Sequence, residues 1–118
     1  MKENGRQKIL ILEKDDFLRE ILGNLLHKKG GYLFSEFSLE EGLKATQGHQ
    51  VDTVILGTSC DEYKGKETLK YITKQMNGSR PNFFIINDGK DEIDVVPKDQ
   101  QIKIDELSVE KILDAIPV

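Results

Sequence analysis

The sequence is poorest in the residues that build metal centres and covalent staples: it has one cysteine, Cys60, and two histidines, His27 and His49. A single thiol excludes an intramolecular disulfide, and no Cys/His set has the spacing of zinc ligands. A lone cysteine suits a reducing compartment, so a cytoplasmic location is expected. Long apolar runs are also missing. The longest span only a few residues, against the roughly twenty that a bilayer requires, so no membrane partner is expected. Residues 1–7 are polar, lack the apolar core of a secretion signal, and read as a short disordered tail. There is no basic stripe either. The 17 Lys and Arg are mixed among 21 Asp and Glu for a net charge of −4, which argues against direct nucleic-acid binding. No internal repeat and no low-complexity tract is found.

What is present is alternation. Ile9-Leu10-Ile11-Leu12 is a solid aliphatic run, the pattern of a strand buried on both faces in a parallel sheet. Leu18, Ile21, Leu22 and Leu25 then recur on one helix face, with Asp15 or Asp16 as the cap and Gly30-Gly31 as the stop. Residues 32–37 read as a second strand. Ser38 and Glu41 form a capping box for a short helix through Leu43 and Ala45, ending near Gly48. Thr53-Val54-Ile55-Leu56 is another buried strand. Gly65, Leu69, Ile72 and Met76 mark a third helix, and residues 82–86 a fourth strand, with Phe83 to Ile86 in the core. Ser108 caps a last helix that carries Val109, Ile112, Leu113 and Ile116 on one face. At 118 residues the chain fits one domain, expected over residues 8–118. The order predicts an α/β fold: a flavodoxin-like, doubly wound, five-stranded parallel sheet with right-handed crossovers.

The stretch between the fourth strand and the last helix breaks the alternation. Residues 94–97 and 101–104 both read as extended. Parallel neighbours need a crossover of about a dozen residues, which favours 101–104 as the fifth strand. Across 88–99 the glycine, the clustered aspartates and Pro97 disfavour helix, so the fourth helix is expected to be missing or reduced. Its loss is expected to uncover the sheet beside Phe84 and Ile86. Val95 and Val96, a partner or a second copy would then cover that face.

Taken together, these segments resemble a response-regulator receiver domain of the CheY type. Lys8-Ile9-Leu10-Ile11-Leu12-Glu13-Lys14-Asp15 resembles the family's first strand and acidic pocket. Phe17-Leu18-Arg19-Glu20-Ile21-Leu22 resembles its first helix. Val51-Asp52-Thr53-Val54-Ile55-Leu56-Gly57 resembles the strand that ends on the phosphate-accepting aspartate, and Gly65-Lys66-Glu67-Thr68-Leu69 the start of the third helix. The resemblance implies a chemistry in which an aspartate takes a phosphoryl group, Mg²⁺ neutralises the developing charge, and a hydroxyl and a lysine hold the phosphoryl oxygens.

Carried over residue by residue, the implied site fails at its centre. The acceptor position is Gly57, which has no nucleophile. The acidic pair is Glu13-Lys14, with a lysine where the direct metal ligand stands. A cation there opposes Mg²⁺ by several kcal/mol at about 4 Å and an effective dielectric of about 20. Restoring Mg²⁺ binding is therefore expected to need Lys14→Asp together with Gly57→Asp. The hydroxyl position falls on Ile86 or Asn87, and the Lys-Pro pair appears reversed as Pro97-Lys98. Ser59 would supply only a backbone carbonyl. Glu13, Lys14, Gly57, Asn87 and Lys98 are thus read as vestigial positions, and the ammonium of Lys14 is expected to fill the metal's space and pair with Glu13 or Asp15. No catalytic residue, metal or cofactor is expected.

Other residues have plain readings. Glu13, Asp15, Asp16, Asp61 and Asp88 gather at the carboxyl ends of the strands, where they serve as helix caps and a solvated rim. Cys60 is an ordinary thiol, and His27 and His49 sit near helix C-termini. The resemblance then implies a pseudo-receiver: a non-enzymatic, phosphorylation-independent interaction domain in bacterial two-component or phosphorelay signalling. Its partner would be another signalling protein, a linked output domain, or a second copy in a homodimer. Two alternatives stand beside it. One is an active receiver accepting phosphate on an unorthodox residue. Asp61 is the candidate, because Asp52 lies roughly 17 Å from the carboxyl end of its strand at about 3.3 Å per residue. The other is a flavodoxin-like domain for a small anionic ligand, which the lack of a Gly-rich loop after the first strand disfavours.

Overall fold

The computed structural model describes residues 7–57, 65–76, 81–87 and 100–103, together with Ser108 and Lys111. Its strands are β1 (Lys8–Leu12), β2 (Tyr32–Glu36), β3 (Thr53–Leu56), β4 (Asn82–Asn87) and β5 (Gln101–Lys103), and its helices α1 (Asp16–Lys28), α2 (Leu39–Ala45) and α3 (Lys66–Gln75). The strands form one sheet in the order β2-β1-β3-β4-β5, and every pairing is parallel. The fifth strand falls where a crossover of sufficient length required it.

The aliphatic runs are central strands because both faces of the sheet are covered. Ile9, Leu10, Ile11 and Leu12 are fully buried, as are Val54, Ile55 and Leu56. Successive residues serve opposite faces. Leu10, Leu12, Val54, Leu56 and Ile85 pack with Leu69 and Ile72 of α3 and with Leu39 and Leu43 of α2. Ile9, Ile11, Ile55, Phe84, Ile86 and Ile102 pack with Leu22 and Leu26 of α1. The connection from β1 to β2 travels across the sheet in the opposite direction to those from β2 to β3 and from β3 to β4. Right-handed crossovers therefore put α1 on one face and α2 and α3 on the other.

This arrangement corrects one expectation. The sheet at Phe84 and Ile86, expected to be uncovered by loss of the fourth helix, is covered on their side by α1. They are buried in the cluster under α1, with Phe84 3% exposed and Ile86 fully covered. Phe83 and Ile85 are the β4 residues on the α3 side. The expected loss of the fourth helix and the roles of Val95 and Val96 lie outside the described residues.

The helix ends follow the sequence signals. Asp15 caps α1: its Oδ1 accepts the Leu18 N–H at 2.9 Å. At the other end Gly30 takes a positive φ of 96°, and the N–H groups of Gly30 and Gly31 return to the carbonyls of His27 and Leu26. This is a Schellman closure, which a glycine makes without strain. Ser38 caps α2 by accepting the Glu41 N–H at 3.2 Å. The Ser108 hydroxyl likewise accepts the N–H of Lys111, a helical residue, at 3.2 Å.

Candidate functional site

The strand order reverses direction between β1 and β3, and the carboxyl ends of those strands are where open α/β sheets place ligands. Glu13 and Gly57 stand there side by side. The Gly57 N–H donates to the Leu12 carbonyl at 2.8 Å, and the Glu13 N–H donates to the Glu36 carbonyl at 3.1 Å. The sheet ladder thus fixes both backbones before any side chain is considered.

Glu13 is fully buried. Its Oε2 accepts the Asp15 N–H at 3.0 Å, and its carbonyl accepts from an Arg19 guanidinium nitrogen at 2.7 Å. Arg19 also pairs with Asp16, whose side chain is 88% exposed, so solvent screens that pair. The other carboxylate oxygen of Glu13 lies over Gly57. A Cβ placed on Gly57 would stand 2.1 Å from Glu13 Oε1, 2.6 Å from Cδ and 3.0 Å from Cβ. Those distances are well inside van der Waals contact. The carboxyl group of Glu13 occupies the volume that any side chain at position 57 would need, so the residue types at the two positions are coupled.

The other sequence-derived positions separate around this pair. Lys14 is exposed at the rim. Asn87, at the end of β4, is 6% exposed and donates from Nδ2 to Gln101 Oε1 at 3.2 Å. Ile86 is core, so Asn87 is the β4 residue at the site's edge. Lys98, Ser59, Cys60, Asp61 and Asp88 lie outside the described residues. Of the acids at this end, Asp15 is spent as a cap and Asp16 on Arg19. Among the described residues, no group of three or more His, Cys, Asp or Glu is placed to hold a metal ion. Among the described residues the donors do not fit Mg²⁺: Gly57 offers no carboxylate, Lys14 brings a cation, and one oxygen of Glu13 accepts a backbone N–H.

Sequence reasoning did not find the reach of Glu13 over Gly57, nor the clamp of Arg19 on the Glu13 carbonyl. The first had a signal in the pairing of a long acid at the end of one central strand with a glycine at the end of its neighbour. At the opposite end of the sheet, Asp52 accepts the Lys8 N–H at 2.7 Å. Its position there excludes it from the site. His49 is more than a residue near a helix end. Its ring meets Phe34 edge-on at 4.9 Å and lies 3.5 Å from Lys8 Nζ, beside Tyr32.

No family model matches the chain, and no curated protein matches it. Solved structures do match in shape. A response regulator from Burkholderia pseudomallei with a phosphorylated aspartic acid superposes with a TM-score of 0.72 at 12% identity, covering 95% of this chain and 67% of that one. A CheY-like receiver domain protein from Methanospirillum hungatei gives 0.71 at 16% identity, covering 93% and 90%. The chemotaxis protein CheY4 of Vibrio cholerae gives 0.70 at 13% identity, covering 93% and 95%.

Proposed function

From the premise that this chain has the fold of a response-regulator receiver domain, we propose that it works as a phosphorylation-independent interaction module in two-component-type signalling. Its partner is another signalling protein or a linked output domain. The observation that carries this reading is the carboxyl group of Glu13 in the space above Gly57. Phosphoryl transfer to a receiver needs a carboxylate at the end of the third strand and a cation beside it to neutralise developing charge. Here the strand ends without a side chain, and the space is filled by a carboxylate that is itself held by backbone N–H.

Binding of Mg²⁺ is the step on which receiver chemistry depends, so it is the step to test. Titration of the labelled protein with Mg²⁺ should leave the amide resonances of Glu13, Asp15 and Gly57 in place up to millimolar concentration. A saturable shift of all three would show a working cation site and defeat the proposal.

A further inference from the structure

Helix α3 carries Lys66, Lys70 and Lys74 at four-residue steps. Side chains so spaced stand in a row along one helix face, here over about 12 Å at about 1.5 Å per residue. All three are exposed, and among the described residues none of them meets a carboxylate. Elsewhere Lys44 of α2 is set between Glu40 and Glu41 and Arg19 of α1 is paired with Asp16, while Lys28 stands in the last turn of α1, where a cation suits the helix C-terminus. Like charges one turn apart repel, so the row costs the helix stability that an external anion would return. It does not follow from a basic chain, because the net charge is −4.

The lysines edge a surface groove of about 560 Å³, lined by Lys66, Leu69, Lys70, Thr73, Lys74 and Phe83. Leu69 is 7% exposed and Phe83 half-buried, so the groove joins an apolar floor to a cationic wall. A small inorganic anion would use one lysine and none of the floor. A nucleic-acid strand would use the wall and leave the floor wet. A segment that presents acids at four-residue steps beside apolar side chains satisfies both, and that pattern is an amphipathic helix.

We propose that this groove docks an acidic amphipathic helix of a partner protein. Its carboxylates align with Lys66, Lys70 and Lys74, and its apolar side chains pack on Leu69 and Phe83. The inference rests on the interaction-module reading above and gives that module's partner a chemistry.

The test is fluorescence anisotropy with a labelled amphipathic peptide that carries glutamates four residues apart and leucines on the adjoining face. The intact protein should bind it, more weakly as salt rises. The variant K66E/K70E/K74E changes only exposed side chains and should weaken binding by about tenfold or more. A peptide with lysines in place of the glutamates should prefer that variant. Equal affinity of the glutamate peptide for both proteins overturns the proposal, as does no binding at millimolar protein. Binding of a single-stranded oligonucleotide through the same lysines, in preference to the peptide, overturns it too. The same preparations are incubated with acetyl phosphate and Mg²⁺. A gain of phosphate counts against the interaction-module reading, whereas failure of the peptide without such a gain counts against the groove alone.

Discussion

At the scale of single residues, the site turns on one contact that changes what the glycine means. The glycine at the end of β3 does not leave an empty space, because the carboxyl group of Glu13 lies over it. Gly57→Ala should therefore destabilise the protein by about 1–3 kcal/mol, the usual cost of overpacking a filled site. In an Glu13→Ala background the same change should cost far less, with a coupling energy of about 0.5–3 kcal/mol between the two positions. Urea unfolding of the four proteins measures it, and equal costs in both backgrounds would refute the contact. The same geometry revises what would rebuild a cation site. Lys14→Asp with Gly57→Asp supplies the charges but leaves Glu13 in the way. Adding Glu13→Asp withdraws the carboxyl by one methylene and should raise Mg²⁺ affinity by about tenfold over the pair, on the scale by which neighbours of metal ligands tune affinity. Calorimetric titration decides it. If the pair alone binds as tightly as the triple variant, Lys14 was the whole obstacle. The placing of Glu13 and Gly57 at the carboxyl ends of two buried strands was legible in the sequence. The steric fit was not, because it depends on a rotamer and on the distance between two strands.

At the scale of elements, the local signals carried far. Asp15 before α1, Gly30-Gly31 after it and Ser38 before α2 all mark ends that the structure closes with the bonds those residues make best. Asp15→Ala and Ser38→Ala should each cost about 1 kcal/mol, from the loss of one capping bond. Thermal or urea unfolding checks both. A near-zero cost for Asp15→Ala would mean that water caps α1 as well as the carboxylate does. Side-chain facing was less legible than element position. Phe83 to Ile86 is apolar throughout, so the sequence carries no alternation from which to tell the α1 side from the α3 side. Only the register, with Leu56 opposite Ile85, assigns Phe84 and Ile86 to α1. The contact of His49 with Phe34 and Lys8 was hidden for a related reason. It joins residues brought together by the parallel pairing of β1 with β2 and not by any local pattern.

At the scale of the whole molecule, topology explains why Glu13 and Gly57 meet at all. They follow the two central strands, β1 and β3, on either side of the point where the strand order reverses. In this fold that crevice is the place for ligand chemistry. The alternation of aliphatic strands with amphipathic helices made the doubly wound sheet readable, since the central strands β1 and β3 are buried on both faces and parallel neighbours need crossovers. The charge on α3 was not readable in the same way. Lysines one turn apart look like an ordinary solvated face until the apolar groove beside them is seen. The central claim is that the domain signals without being phosphorylated. Intact-mass measurement after incubation with acetyl phosphate and Mg²⁺ tests it most directly. The account predicts an unchanged mass; a stoichiometric gain of one phosphate, mapped to any aspartate of the chain, would contradict it.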